Sequence, residues 1–289
     1  MKQIIFLSIA MAFCITCFAQ ADTMYNPKNN DTMRVGNILI IKKNKKAKGD
    51  STTFIMERSN KKPSRVSTNW GILDLGFSNY NDQTNYANTG SYLVNRPGSP
   101  ALGNSDFKLR TGKSINVNIW FFMQRLSLVK SFVNLKYGLG LELNNYRYKS
   151  NISYRESGTI PYSGGLQTNA AFIFRDSIGF TKNKLAADYL TVPLMLNFSS
   201  NPGSSKKGIS LSAGISAGYL YAQRNKQKSE ALGKEKNKGE YDLERFKLSY
   251  VAELGLGPVR LYGSYSPKSI YERGLDIRPY NVGLRFSNW

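Results

Sequence analysis

The feature that most constrains this chain is a period-two alternation of apolar and polar residues over long segments. In residues 114–124 every odd-numbered residue is apolar, whereas Asn116 and Asn118 are polar, and residues 133–144 and 209–221 follow the same pattern. Successive side chains of a strand point to opposite faces, so each segment predicts a strand with one apolar and one polar face. The same criterion predicts five further strands: residues 70–80, 184–198, 244–256, 259–271 and 277–289.

The connections between these predicted strands alternate in length. Three are short and three are long, and the last one, residues 272–276, is short where the alternation predicts a long one. Outer-membrane barrels have short periplasmic turns and long outer loops. The sequence therefore predicts an all-β fold, an eight-stranded antiparallel transmembrane β-barrel over residues 67–289. The short connections are residues 126–130, 199–207 and 257–258, and the long ones are residues 81–111, 150–183 and 225–243.

Each predicted strand is long enough to cross a membrane, since a tilted spanning strand needs about 9 to 11 residues. Pro193 interrupts the segment 184–198, and proline cannot donate a hydrogen bond to a neighbouring strand. We therefore expect a local bulge at Pro193. Aromatic residues near the predicted strand ends are consistent with two interfacial girdles and equally with the general enrichment of aromatics in strands. They are Tyr80, Tyr146, Tyr148, Tyr219, Tyr221 and Tyr271 at the outer ends, and Trp70, Phe198 and Trp289 at the inner ends.

Alternation alone does not tell which face of the barrel meets lipid. The apolar face points inward in a soluble barrel and outward in an outer-membrane barrel. Eight strands leave an interior just wide enough for side chains to fill, so charged residues there would form an ion-paired network and not a pore. The candidate interior residues are Asp74, Lys136, Glu142, Asp188, Lys247, Glu253, Arg260 and Arg285.

The first residues have the layout of a secretory signal peptide, with Lys2, an apolar run over residues 4–18 and small residues after it. That run is shorter than the roughly 20 residues of a membrane-spanning helix, so we expect residues 1–20 to be cleaved. Residues 21–66 are polar and basic and form a periplasmic segment, either a loose hairpin with a charged turn or a tail.

The residue types of the chain exclude several chemistries. It has no histidine, and its two cysteines, Cys14 and Cys17, lie inside the predicted signal peptide. Thiolate metal sites and nucleophile–histidine pairs therefore cannot be built in residues 21–289. Glu142 and Glu253 are a conceivable acid–base pair, but a structural polar interior is the better interpretation of these carboxylates. We expect no enzyme activity and no cofactor.

The net charge of +21 favours anionic partners. The candidate anionic-partner loop contains five lysines, and its target would be lipopolysaccharide phosphates; the alternative is a loop that is only solvated. A nucleic-acid partner is not expected, because basic residues interleaved with aromatics are missing and a secreted protein rarely meets one. The five lysines are Lys226, Lys228, Lys234, Lys236 and Lys238.

Several stretches of the chain resemble the PorT-like group of small outer-membrane β-barrel proteins. The stretches are residues 31–37, 69–77, 111–118, 137–146 and 189–196. The resemblance covers most of the chain after the signal peptide and implies a barrel in the outer membrane, without catalytic residues to carry over. One branch of the group is linked to a machine that exports proteins across the outer membrane.

The expected function is therefore that of an integral outer-membrane barrel with a structural or interaction role. Its partners would be outer-membrane lipid and lipopolysaccharide, the barrel assembly machinery and other envelope proteins. Two alternatives are a component of a protein-secretion apparatus, which the resemblance implies, and a narrow pore for small solutes.

Overall fold

A computed structural model describes residues 32–35, 38–43, 53–58, 65–201 and 208–287. These residues are mostly β-strand, and none of their helices is long and apolar enough to cross a membrane. The strands are β1 (Thr32–Val35), β2 (Ile38–Lys43), β3 (Thr53–Arg58), β4 (Val66–Asp82), β5 (Leu93–Val94), β6 (Ile115–Val129), β7 (Val133–Arg147), β8 (Ile152–Arg155), β9 (Gly158–Thr159), β10 (Gln167–Thr168), β11 (Phe172–Arg175), β12 (Phe180–Ser199), β13 (Ile209–Ser229), β14 (Gly233–Lys238), β15 (Phe246–Leu256), β16 (Val259–Tyr265) and β17 (Ile277–Phe286). The helices are α1 (Asn104–Phe107) and the 3-10 turns Tyr86–Asn88, Gly90–Tyr92 and Thr111–Lys113.

The chain divides into two units, which meet in sequence between Ser64 and Arg65. In the first unit, β2 pairs antiparallel with both β1 and β3. The basic segment 21–66 contains two short apolar runs, residues 38–41 and 53–56, which lie on β2 and β3, and these two strands pair with each other. The predicted signal peptide and the basic residues 44–50 lie outside the described residues.

The second unit is an antiparallel β-barrel. Nine strands form one sheet in the order β12-β7-β6-β4-β17-β16-β15-β13-β14, and β12 also pairs with β13. Every one of these pairings is antiparallel. Each of the segments predicted from the alternation overlaps one strand of this sheet, and the all-β barrel fold is confirmed.

The expected bulge at Pro193 is wrong. Pro193 pairs with Ser216 of β13 in an unbroken register, and the shift between the two strands lies between Asp188 and Tyr189. On the other side of β12, pairing with β7 resumes at Leu194 in the same register as before the proline. The missing hydrogen bond is thus accommodated by a short interruption of one ladder, without an extra residue.

The alternation places apolar residues on the outer face of the barrel and polar residues inside. Along β12, Leu194 and Leu196 are exposed on the outside, whereas Met195 and Asn197 are buried in the interior.

Gly140 illustrates how tightly this interior is packed. A Cβ atom there would lie 2.6 Å from the carbonyl oxygen of Ile119 and 2.7 Å from the Trp120 ring, so glycine is required to make room for that ring.

The barrel has two different ends. At the turn end, β6 joins β7 through residues 130–132, and β15 joins β16 through residues 257–258. At the loop end, the long connections contain β5, α1, β8 to β11 and β14. The predicted loops are therefore structured: β8 and β11 pair antiparallel, and β11 pairs in parallel with β5.

Candidate functional site

The interior of the barrel contains an ion-pair cluster around Glu253. Its carboxylate accepts hydrogen bonds from Lys136 Nζ at 3.0 Å, from Arg260 Nη1 at 3.1 Å and from Arg285 Nη1 at 2.7 Å. Lys136 Nζ also donates to Ser212 Oγ at 3.2 Å. Four side chains from β7, β15, β16 and β17 therefore cross-link strands around the barrel from within.

Arg285 extends this cluster to a second carboxylate. It donates from Nε to Asp74 Oδ1 at 2.7 Å and from Nη2 to Asp74 Oδ2 at 2.8 Å, which is a bidentate ion pair. Asp74 also accepts hydrogen bonds from Trp120 Nε1 at 2.7 Å and Asn118 Nδ2 at 3.1 Å. The Arg285 guanidinium lies 5.5 Å from the centre of the Trp120 ring. Each of the three guanidinium nitrogens of Arg285 therefore donates to a carboxylate oxygen of Asp74 or Glu253.

Two further ion pairs lie nearer the loop end. Lys247 donates to Glu142, which also accepts from Asn144 Nδ2 at 3.0 Å. Asp188 forms a salt bridge with Arg224 of β13. The ammonium of Lys247 lies 5.1 Å from the centre of the Tyr189 ring.

All eight candidate residues are buried, and each takes part in at least one ion pair. The interior assignment is wrong for Asp188, which pairs with Leu143 of β7 and is in phase with the exposed Leu190, so it lies on the outer side of the barrel wall. Its partner Arg224, which the sequence prediction did not include, lies opposite Ala186 on the same outer side. A cavity beside Trp120, Glu142 and Tyr262 has a volume of about 30 Å³. That is roughly the volume of one water molecule, so side chains fill this part of the barrel.

Above the ionic interior, the loops form an apolar cap over the barrel mouth. At its centre the hydroxyls of Tyr148, Tyr154 and Tyr271 are hydrogen-bonded to one another, with Tyr154 2.6 Å from Tyr148 and 2.7 Å from Tyr271. The cap contains residues from every loop-end connection and from the strand ends below. Its buried members include Tyr92, Leu102, Phe107, Leu109, Tyr146, Ile152, Ile173, Leu185, Tyr189, Leu220, Tyr241, Leu243, Ile270, Leu275 and Ile277.

Arginine residues join the loops of the cap to one another. Arg175 forms a bidentate ion pair with Asp106, at 2.9 and 2.8 Å from Nη2 to the two carboxylate oxygens, and donates to the Pro100 carbonyl at 2.9 Å. Arg273 pairs with Asp242 and donates to the Ala171 carbonyl at 2.7 Å. Each arginine thereby holds two connections that are far apart in sequence.

Burial in the cap changes the acidity of its tyrosines. Burial raises the pKa of Tyr148 to about 12, although hydrogen bonds from Tyr154 and Tyr271 act in the opposite direction. The pKa of Tyr154 also lies well above its usual value, because burial penalises the phenolate and Tyr148 adds a repulsive charge. The cap is therefore neutral at physiological pH.

The predicted outer aromatic girdle was partly wrong. Tyr146, Tyr148 and Tyr271 are buried in the cap, and Tyr80 packs against it. Tyr219 and Tyr221 are exposed on the barrel exterior, as expected. Trp70 and Phe198 are exposed at the turn end, whereas Trp289 lies outside the described residues. The exposed aromatic residues of the barrel strands on the loop-end side include Phe77, Tyr219, Tyr221, Phe246, Tyr250, Tyr265 and Tyr280, and those of the turn-end side include Trp70, Phe121, Phe132, Phe198 and Phe286.

The five lysines predicted to lie in an anionic-partner loop lie on paired strands. Lys226 and Lys228 belong to β13, whose outer part pairs with β14. The prediction of an irregular loop is wrong here, because the turn at residues 230–232 leaves the flanking residues free to continue the sheet. Together with two lysines of β12 on the other side of β13, they form what we call the basic sheet face: Lys182, Lys184, Lys226, Lys228, Lys234, Lys236 and Lys238.

An antiparallel barrel with an apolar exterior, aromatic residues toward both ends of it and an ionic interior is an integral outer-membrane barrel protein. Residues 62–267 match the profile of the outer membrane protein beta-barrel domain family, and the chain belongs to that family. No curated protein matches the chain. A similar solved structure is Ail, the attachment invasion locus protein of Yersinia pestis, in complex with the heparin analogue sucrose octasulfate. It is 12% identical, with a TM-score of 0.30, and the match covers 76% of this chain and 98% of Ail.

Proposed function

We propose that this protein is a non-conducting, non-enzymatic outer-membrane barrel that presents its structured loop end to partners at the cell surface. The observation that carries the proposal is the combination of the loop cap and the ion-paired interior. Both occupy the path that a solute would take along the barrel axis. A rigid, closed-off loop end is suited to recognition, because little ordering is needed when a partner binds.

The orientation that we propose has the loop end outside and the turn end in the periplasm. Long loops outside and short turns inside are the general arrangement of outer-membrane barrels. With this orientation, β4 begins at the turn end, so the basic segment before it lies in the periplasm. Protease treatment of intact cells tests the orientation: cleavage near the exposed residues 162–166 supports it, and cleavage only after the outer membrane is opened contradicts it.

The ion-paired interior also favours a structural role for its carboxylates over acid–base catalysis. Glu253 is in contact with three cations, and Glu142 with Lys247 and Asn144. A general acid or base must exchange a proton with a substrate and therefore has to be reached by it. Both side chains are less than a tenth exposed and are in contact with neighbouring cations, so a substrate does not reach them.

Planar bilayers test the proposal against the narrow pore. The purified protein is first shown to be folded by its faster migration on a gel when it is not heated, and is then inserted into bilayers. We expect no stable conductance steps. The variant Arg285→Ala with Glu253→Ala removes two interior side chains but leaves the cap in place, so it should also show no stable conductance steps. Steady conductance of the unaltered protein would reject the proposal.

A role in a protein-export apparatus is the more specific alternative, and its support is the resemblance to PorT-like barrels. Since the cap covers the barrel mouth, the chain would serve such an apparatus as an accessory subunit and not as the channel. Photo-crosslinking in cells from Tyr162, which is exposed on a cap loop, tests this role. Repeated capture of one envelope protein would support it, and crosslinks to lipopolysaccharide alone would contradict it.

A further inference from the structure

The basic sheet face is an ordered array of like charges. Its lysines lie directly opposite one another on β12, β13 and β14, on the side of the sheet that continues the outer surface of the barrel. Opposing residues in neighbouring strands have Cβ atoms about 4.5–5.5 Å apart, and like charges at these positions are destabilising. The cross-strand rows are Lys182–Lys228–Lys234 and Lys184–Lys226–Lys236.

Within the described part of the chain, none of these lysines forms a salt bridge with a carboxylate. The only acidic residue on β14 is Glu235, which lies between Lys234 and Lys236 in sequence and therefore on the other face of the sheet. Lys184 Nζ donates to Asn145 Oδ1 at 2.6 Å, and among the described residues no carboxylate offsets the repulsion between the opposing ammonium groups. A bound anion would relieve this repulsion.

The height of the basic sheet face matches the polar layer of a membrane. Lys226 lies five residues beyond Tyr221, the last exposed aromatic residue of β13. With a rise of about 3.3 Å per residue and a strand tilt of about 40°, the backbone of Lys226 lies roughly 13 Å above that of Tyr221, measured along the barrel axis. Phosphates of lipid headgroups lie in this layer, outside the hydrocarbon core.

A notch lies between the barrel wall and the basic sheet face. It has a volume of about 580 Å³ and is lined by Tyr219 and Tyr221 and by the charged residues Arg224, Lys238, Glu240 and Arg245. Arg224 is paired with Asp188 and Arg245 with Glu240, so Lys238 is the lining cation that contributes directly to the charge of the basic sheet face. Aromatic rings below and cations above suit a molecule that has an apolar part in the membrane and phosphate groups at the surface.

We propose that the basic sheet face and this notch bind the phosphorylated headgroup of a glycolipid in the same membrane leaflet, such as lipid A of lipopolysaccharide. The inference rests on the proposed function, because it requires the loop end to lie at the outer surface. The lysines pair with headgroup phosphates, and the notch holds the sugar next to the tyrosines. Because these lysines are on paired strands and not in a mobile loop, less ordering of the backbone is needed on binding.

The test uses the full-length protein folded in phosphatidylcholine vesicles, titrated with lipid A that carries its phosphates and with dephosphorylated lipid A. One variant changes four lysines of the face to glutamine, Lys226, Lys228, Lys234 and Lys236. The matched control changes four exposed lysines of other loops to glutamine, Lys108, Lys113, Lys149 and Lys268. Faster migration of the unheated variants on a gel shows separately that each barrel is folded and in the membrane.

A lysine near a charged membrane surface contributes about fivefold to binding, so we expect the variant that lacks four lysines to bind phosphorylated lipid A roughly 600-fold more weakly. The control variant should lose less than about tenfold, and raising the salt concentration should weaken the binding of the unaltered protein.

Equal losses in both variants, or equal affinity for dephosphorylated lipid A, would overturn the inference while leaving a folded barrel. Equally tight binding of soluble inorganic polyphosphate would overturn the lipid as the ligand. A barrel that does not fold into vesicles would instead contradict the proposed function.

Discussion

Glu253 is the residue whose replacement tests the ion-paired interior most severely. Its carboxylate is 2% exposed and is shared by Lys136, Arg260 and Arg285 at 3.0, 3.1 and 2.7 Å. Glu253→Gln keeps the shape and removes the negative charge that Lys136, Arg260 and Arg285 share. Arg285 keeps its bidentate pair with Asp74. Removing one member of a buried ion pair costs about 3–5 kcal/mol, because the remaining charge is not compensated.

The assay is urea unfolding of the barrel in detergent, followed by the difference in gel migration between folded and unfolded protein. With a urea dependence of about 2 kcal/mol per molar, the expected loss lowers the unfolding midpoint by about 2 M. Glu240→Gln is the control, since Glu240 is 69% exposed and 3.3 Å from Arg245, and such pairs contribute about 0–1 kcal/mol.

A second substitution distinguishes the loss of charge compensation from a general disruption of packing at the site. Adding Lys136→Met to Glu253→Gln removes one of the uncompensated charges, so the double variant should regain part of the lost stability. Equal midpoints for Glu253→Gln and Glu240→Gln would refute the reasoning. A further loss on adding Lys136→Met would refute it as well.

Three further predictions concern the cap and the lipid-facing surface. Asp106→Asn breaks the bidentate pair with Arg175, so limited proteolysis should cut the cap loops faster while gel migration of the unheated barrel stays unchanged; unchanged cleavage would contradict the pairing. The raised pKa of Tyr148 means that its contribution to stability is complete below about pH 10, the pKa in the unfolded chain, and is lost as pH rises to about 12. Unfolding midpoints measured across this range, with phenolate absorbance in parallel, check the direction; a midpoint that rises with pH contradicts it. Leu194→Arg places a charge on the lipid-facing side and should cost about 2–4 kcal/mol, whereas Leu194→Ala should cost less. Equal midpoints for the two variants would mean that this side does not meet lipid.

The strands and the interior charges could be predicted because both depend on a local pattern. Side-chain direction in a strand follows directly from the parity of the residue number, so Asp74 and Arg285 could be assigned to the polar face from the sequence. The exposed apolar residues of the outer face followed from the same rule. Parity does not identify the charged partners. Beyond a strand shift between Asp188 and Tyr189 the parity of β13 changes, so the even-numbered Arg224 lies on the outer side whereas Ser212 and Ser216 lie inside.

The cap could not be predicted, because it depends on contacts between connections that are distant in sequence. Tyr148, Tyr154 and Tyr271 meet only after their strands have been arranged around the barrel. From the sequence, a tyrosine at a strand end is equally consistent with a membrane interface and with a packed cap. The extension of β13 into β14 was missed for a different reason, since its many lysines favour a solvated loop by composition.

The assignment of the apolar face to lipid is the central claim, and spin labels test it most directly. Single cysteines replace Leu194, Leu196 and Asn197 in turn, in a chain whose Cys14 and Cys17 are changed to serine, and each variant is labelled and reconstituted in vesicles. The account predicts that labels at positions 194 and 196 are relaxed by oxygen dissolved in lipid and are not reached by a water-soluble nickel chelate. The label at position 197, where the native side chain is 2% exposed, should be reached by neither reagent. If the chelate reaches positions 194 and 196, these residues face water, and the chain is not a membrane barrel of the kind described.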